Sequence, residues 1–224
     1  MIFIILVEPL YGGNVGLVAR AMANFNVKEL RIVKGRETGE EAKRRAKHGL
    51  AILEEAKRFE DLPAAIEDLD IIIATTGVLA KKEKDWVRKA LGPEQVREKI
   101  EKYDGRVGIL FGRENYGLYN EELGLADMVM HIPTSEEYPV LNLSHAVAIT
   151  LYSLIVGSKA KKETPASRRE RELLRKEIKR ALSDIEYPAH RRRKTYQMID
   201  RILGRAGISD EEFRVLMGVL KRTR

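Results

Sequence analysis

Ile2 to Val7 is an unbroken apolar run, rich in isoleucine and closed by Glu8-Pro9. A strand with one wet face alternates apolar and polar residues. A run without alternation belongs to a strand covered on both faces, the usual condition in a parallel sheet flanked by helices. Shorter strand signals recur at Leu30 to Val33, Asp70 to Ala74, Arg106 to Phe111 and Met128 to Ile132. Helical signals fall between them. Asn14 is placed to cap a helix running to about Asn24, with Val15, Val18 and Met22 on one face. Glu40 to Lys47 reads as a charged, exposed helix, Leu62 to Leu69 as a short one, and Pro93 to Lys102 as one with proline in its first turn. Ile52 to Arg58 fits either state. Lys81 to Lys89 reads as a basic loop holding Trp86, the one tryptophan. After a turn at Glu121 to Leu125 and a loop at Pro133 to Pro139, Asn142 can cap a long apolar helix from Leu143 to Val156. Val147, Leu151, Leu154 and Ile155 are more than one modest core face needs. Strands alternating with helices predict an open α/β fold with a mostly parallel sheet.

Past Gly157 the character changes. Gly157 to Pro165 has linker composition, and strand signals stop. Leu174, Ile178 and Ala181 recur at helical spacing, as do Tyr196, Ile199 and Leu203. A capping box at Ser209 to Glu212 opens a last helix burying Phe213, Leu216, Met217 and Leu220. The expected division is 1–157 for the α/β domain, 158–165 for a linker and 166–224 for a small all-α C-terminal extension. The extension is strongly basic. From Ser158 on there are 20 Lys+Arg against 10 Asp+Glu, whereas the preceding residues hold 21 against 24. The last third therefore carries a net +10 and the rest −3, which together give the +7 of the whole chain. Arg168, Arg169 and Arg171, and the run Arg191, Arg192, Arg193 and Lys194, are candidate contacts to nucleic acid. Salt-bridged helices are the plainer alternative.

Several classes drop out. There is no cysteine, so disulfides and thiolate metal sites are excluded, and the 4 histidines are scattered. Neither a metal nor a membrane span is expected, since no apolar run approaches about 18 residues. The apolar start lacks a basic leader and reads as a first strand, so a soluble cytoplasmic protein is expected.

Three segments carry candidate chemistry. In Pro9-Leu10-Tyr11-Gly12-Gly13-Asn14-Val15-Gly16, with Arg20 beyond, a glycine-rich turn joins strand to helix; it matches neither the P-loop nor the dinucleotide fingerprint. In Leu110-Phe111-Gly112-Arg113-Glu114-Asn115-Tyr116-Gly117-Leu118, an apolar strand empties into a polar loop, where open α/β sheets bind ligands. In Ile132-Pro133 through Tyr138-Pro139-Val140-Leu141-Asn142-Leu143-Ser144-His145, a proline-marked loop feeds a helix N-terminus. Ser144 and His145 are neighbours about 100° apart on that helix, which argues against a hydrolase triad.

Together, "NVGLVARAMANF", "LFGRENYGLYNEE" and "IPTSEEYPVLNLSHAVAI" resemble the three motifs of the TrmH-type methyltransferases of the SPOUT class. The nearest match is the TrmJ branch, which methylates ribose at position 32 of the tRNA anticodon loop. The resemblance covers Met1 to Gly157; the helical tail agrees in kind. It implies a SPOUT-type sheet with a C-terminal trefoil knot, a homodimer, tRNA as partner and S-adenosyl-L-methionine as cofactor. It further implies that Thr75, Thr76, Gly77, Gly112, Ile132, Val140 and Leu141 line the cofactor. By the same resemblance Arg20 stands at the reacting hydroxyl and Asn14 at the substrate backbone. Ser144 and Arg113 are lesser candidates for phosphate or substrate. Glu114 is a candidate ion-pair partner for Arg20 or Arg113. The alternatives are a 2′-O-methyltransferase of another tRNA or rRNA site, and an RNA-binding protein that kept the fold without catalysis.

Overall fold

The structure, a computed structural model, describes residues 1–35, 39–78, 90–156, 164–185 and 187–222. The basic loop expected at Lys81 to Lys89, with Trp86, and residues 157–163 of the expected linker lie outside the described residues.

Six strands form one sheet: β1 (Ile2–Val7), β2 (Glu29–Val33), β3 (Lys57–Phe59), β4 (Ile71–Thr75), β5 (Val107–Phe111) and β6 (Met128–Met130). Their order is β3-β2-β1-β5-β4-β6, and every pairing is parallel. In the centre Ile4 is in register with Leu30 on one side and Ile109 on the other. Ile4 and Ile5 point to opposite faces and both are fully buried. That is why the run does not alternate.

The first face is covered by α1 (Gly12–Asn24), α2 (Glu40–Ala46), α3 (Leu50–Glu54), α5 (Pro93–Ile100) and α7 (Leu143–Ile155). The second is covered by α4 (Leu62–Ile66) and α6 (Asn120–Leu123). A single-turn 3₁₀ helix, Lys47–Gly49, joins α2 to α3. The ambiguous stretch at Ile52 to Arg58 divides into the end of α3 and the edge strand β3.

Two expectations need correction here. Asn14 does not cap α1: the helix begins at Gly12, after Tyr11. And α2 is not simply exposed. Ala42 and Ala46 are fully buried against α1, where a Cβ on Gly16 would stand 2.1 Å from the Ala42 carbonyl oxygen. Glycine at 16 is what lets the two helices come this close.

The tail folds as α8 (Arg168–Asp184), α9 (Ala189–Ala206) and α10 (Asp210–Arg222). Its small core comprises Ala166, Leu174, Ile208, Phe213 and Met217, with Ile178, Leu203 and Leu220 beside them. Leu216, expected to be buried, is 36% exposed, because α10 turns 213, 217 and 220 inward instead. The Ser209–Glu212 capping box forms as expected: each backbone N–H donates to the other's side chain, at 2.8 and 3.2 Å.

This helical unit docks where the strands begin. Asp127, just before β6, accepts from Ile72 N–H at 2.8 Å, from Arg171 at 2.5 Å and from Arg175 at 3.4 Å. A Cβ on Gly204 would meet the Asp127 carbonyl oxygen at 2.3 Å. Arg171, proposed from sequence as part of a nucleic-acid cluster, is buried and committed to this anchor.

Candidate functional site

The carboxyl ends of β4, β5 and β6 open into a cleft, with the end of β1 alongside. Its empty volume, measured out to its mouth, is about 910 Å³, which falls in the range of small-ligand pockets (about 300–1,000 Å³). Three loops wall it: Thr75 to Val78 after β4, Gly112 to Leu118 after β5, and Ile132 with Pro139 to Leu141 leading into α7. All seven residues expected at the cofactor line this one cleft: Thr75, Thr76, Gly77, Gly112, Ile132, Val140 and Leu141. No helix brings them together; the parallel sheet does, by ending its strands at one edge.

The loop after β5 is tightly folded. Arg113 and Gly117 exchange backbone hydrogen bonds at 3.2 and 2.8 Å, and Gly117 has the positive φ (66°) the turn requires. A Cβ on Gly112 would lie 2.1 Å from the Gly117 carbonyl carbon and 2.3 Å from Leu118 N. Glycine at 112 is thus required by the loop's own backbone. Gly77 is different: its Cβ would make ordinary contact with Val140 at 3.5 Å.

Arg113, expected as an RNA contact, has its guanidinium bound to protein groups. It is 6% exposed. It donates to Glu8 at 3.0 Å and to both Glu122 oxygens at 3.0 Å, and it stacks on Tyr119, 4.1 Å from the ring centre. Burial works against its charge, but the bonds to Glu122 and Glu8 outweigh burial, and the guanidinium is held more firmly protonated than usual. Every donor it could offer a phosphate is already in use or enclosed.

Glu114 departs from expectation too. It pairs with neither Arg20 nor Arg113. One oxygen accepts from Leu10 N–H at 2.9 Å. The other accepts from Tyr11 N–H at 3.4 Å and from Asn14 Nδ2 at 2.9 Å. A carboxylate from a loop 100 residues away therefore sits at the start of α1, where helix N–H groups and the helix dipole favour negative charge. It anchors the turn that enters α1, binding the Leu10 and Tyr11 N–H groups that precede the helix.

Asn14 itself is a bridge. Its Oδ1 accepts from Asn142 Nδ2 at 3.2 Å. Asn142 Oδ1 in turn accepts from Ser144 N–H at 2.9 Å and from the Ser144 hydroxyl at 2.8 Å. The chain Glu114–Asn14–Asn142–Ser144 joins all three motifs. It also settles where Ser144 stands: 7% exposed, with its hydroxyl turned into the cap of α7. Asn142 was legible in sequence only as a cap; its second role depends on which residue faces it.

Arg20 lies six residues beyond Asn14, about 9 Å along the helix. It is exposed and makes no hydrogen bond or ion pair among the described residues. Of the basic run on α9, Arg191 and Arg193 are exposed, while Arg192 is half-buried and donates to the Tyr187 carbonyl at 2.6 Å. Lys194 is exposed as well. Among the described residues no cluster of three or more His, Asp or Glu could hold a metal ion, and no helix is long and apolar enough to cross a membrane.

A family model described as the SpoU rRNA methylase family matches residues 1–152, a span that includes all three motifs. The tRNA (cytidine-2′-O-)-methyltransferase TrmJ of Methanocaldococcus jannaschii is 39% identical over 99% of this chain and 99% of its own. The enzyme of the same name from Sulfolobus acidocaldarius is 32% identical over 98% of this chain and 92% of its own. The crystal structure of TrmJ from Z. mobilis superposes with a TM-score of 0.73 at 31% identity, covering 99% of this chain and 98% of that one. Motifs, cleft and full-length likeness agree, and the chain belongs to the SpoU methylase family.

Proposed function

We propose that this protein is an S-adenosyl-L-methionine-dependent tRNA methyltransferase that modifies a ribose 2′-hydroxyl, on cytidine or uridine at position 32 of the anticodon loop. The observation that carries the reading is the cleft. Seven residues expected at the cofactor line it, and Asn14 of the first motif is tied to its rim through Glu114.

The residues fit such a cofactor. Gly77 leaves open the space in front of Val140, and the walls are mostly backbone groups and apolar side chains, with the Arg113 guanidinium already engaged by Glu8 and Glu122. When bound, the cofactor supplies a methyl group on a sulfonium, an excellent leaving group. What remains for the protein is to align the ribose oxygen and to favour loss of its proton. Arg20 is exposed and unpaired among the described residues, so its fork is available to a ribose oxygen and a neighbouring phosphate. A guanidinium stays charged and is a poor base, so Arg20 stabilises the developing alkoxide rather than accepting the proton. Asn14, fixed by Glu114 and Asn142, orients the nucleotide backbone.

In this reading residues 1–157 form the catalytic unit, with the trefoil knot of the class, and 166–224 bind RNA through Arg191, Arg193 and Lys194. The protein acts as a cytoplasmic homodimer. On α7, Ile149 and Tyr152 remain 38% and 60% exposed, and Val156 just past its end 47%, an apolar strip that a second copy would cover. Sedimentation of an active preparation at the mass of one chain would contradict the dimer. The function is tested by incubating unmodified tRNA with protein and labelled cofactor, then mapping ribose methylation by mass. Label at a single pyrimidine ribose of the anticodon loop is the expected result; label on a base, or none, defeats the reading.

A further inference from the structure

The turn between α2 and α3 presents an unusual lysine. Lys47 has φ 50° and ψ −119°. This is outside the left-handed helical well, in the region of the first central residue of a type II′ turn, where glycine dominates. A lysine there costs backbone energy that a glycine would not. Such strain persists only where the surrounding structure enforces it, and it gathers at functional positions.

The enforcement is visible two residues on. Gly49 packs so closely on α1 that a Cβ would stand 2.3 Å from the Ala19 carbonyl oxygen and 2.7 Å from Arg20 N. The strained turn is therefore seated on the backbone of Arg20 itself. The charges nearby are mixed, and on α2 Arg44 is exposed and without a partner among the described residues. On α2, Lys43 pairs with Glu40 at 3.4 Å and Arg45 with Glu41 at 2.7 Å. Lys47 and its neighbour His48 are exposed and have no partner among the described residues, as is true of Arg20. What sets Lys47 apart from the α2 charges is its seat: through Gly49 its turn rests on the backbone of Arg20, so two unpaired cations leave from adjoining backbone and can meet one anionic strand.

We propose that Lys47 is a phosphate contact for the RNA strand whose ribose is presented to Arg20, gripping the chain on the side of Arg20 away from the ligand cleft. The inference rests on the tRNA methyltransferase reading above. A point charge suits this role, because it holds a phosphate without demanding planar geometry and leaves fine alignment to Arg20. Phosphate contacts of this kind set register and affinity rather than sequence preference.

Lys47→Gly is an informative variant because it removes the charge while relieving the backbone, so thermal stability should hold or rise. Lys47→Asn serves as the second variant, since asparagine tolerates positive φ better than most residues. The measurement is the dissociation constant of tRNA as a function of salt, with KM for tRNA in methyl transfer alongside. Both variants should weaken tRNA binding on the order of tenfold near physiological salt. They should lower the slope of log affinity against log salt by about one, and raise KM while cofactor affinity stays as in wild type. Unchanged tRNA affinity and salt slope in both variants would overturn the inference. Wild-type protein that binds tRNA but transfers no methyl defeats the functional reading instead, and the binding measurement still decides the role of Lys47.

Discussion

Glu114 and Gly112 sit two residues apart and act on different partners, the first on α1 and the second on its own loop. Gly112→Ala should displace the Gly117–Leu118 backbone, so thermal stability and cofactor affinity should fall together. Gly77→Ala should keep the fold, with only ordinary contact to Val140, and narrow the cleft; calorimetry should show weakened cofactor binding with a melting temperature close to wild type. A Gly112→Ala protein that melts normally would contradict the close approach of that loop to itself. Arg20→Ala tests the chemistry. Single-turnover methyl transfer with saturating tRNA and cofactor should fall about 100- to 1000-fold, with cofactor binding retained; a rate near wild type would make Arg20 a binding residue. At this scale the sequence was informative about which residues gather and less so about what each does. Ile132 and Val140 follow from motif position, and Thr75 and Gly77 from their place at the end of a strand. The roles of Glu114, Arg113 and Ser144 do not, because each is decided by a partner: Leu10 and Asn14 for the first, Glu8 and Glu122 for the second, Asn142 for the third. Lys47 was hidden for a different reason, since a single backbone angle leaves no mark on residue type.

The elements around the cleft are held by buried charge. Arg113 at the end of β5 binds Glu8 at the end of β1 and Glu122 on α6, fixing three elements from one guanidinium. The bond from Arg113 lowers the pKa of Glu8 from an ordinary value near 4.5, against the opposing effect of burial. Asp68 is lowered likewise by Arg31, with burial again opposing. A carboxylate whose pKa is lower in the folded state contributes stability that is fully present above its unfolded pKa. That stability is lost as pH falls through the folded value. Melting temperature should therefore drop as pH is taken from about 5 towards 3. Glu8→Gln should be less stable at neutral pH and show a shallower drop, and an identical acid profile in the two proteins would remove Glu8 from the account. Strands buried on both faces were readable from their unbroken apolar runs. The edge strand β3 was not, because Lys57–Phe59 is short and polar and becomes a strand only by pairing with β2.

For the whole molecule, Asp127 is the charged anchor between tail and sheet, beside lesser contacts such as Tyr103 to the Ala206 carbonyl. It takes two arginines from α8 and one backbone N–H from β4. Asp127→Ala leaves Arg171 buried without its counter-charge, so unfolding free energy should fall by about 3–5 kcal/mol. Limited proteolysis should find the tail before the α/β unit; equal protection of both units in the variant would show that the apolar contacts alone hold the tail. The basic excess of the tail was legible from composition. Its division into anchoring arginines and exposed ones was not, because that depends on which helix face meets the sheet.

The bonds that tie the cleft together span long stretches of chain: 104 residues from Leu10 to Glu114, 100 from Asn14 to Glu114 and 128 from Asn14 to Asn142. Closing loops of this length is a slow part of folding, because chain entropy is lost before the contacts compensate for it. On the ribosome, β1 and α1 emerge first and wait for the loop after β5 and then for α7. Until Asn142 has been made, a nascent chain can hold most of its sheet and still have no site. The protein thus becomes competent late and in one step, and cofactor binding during refolding should lag behind the return of helical signal.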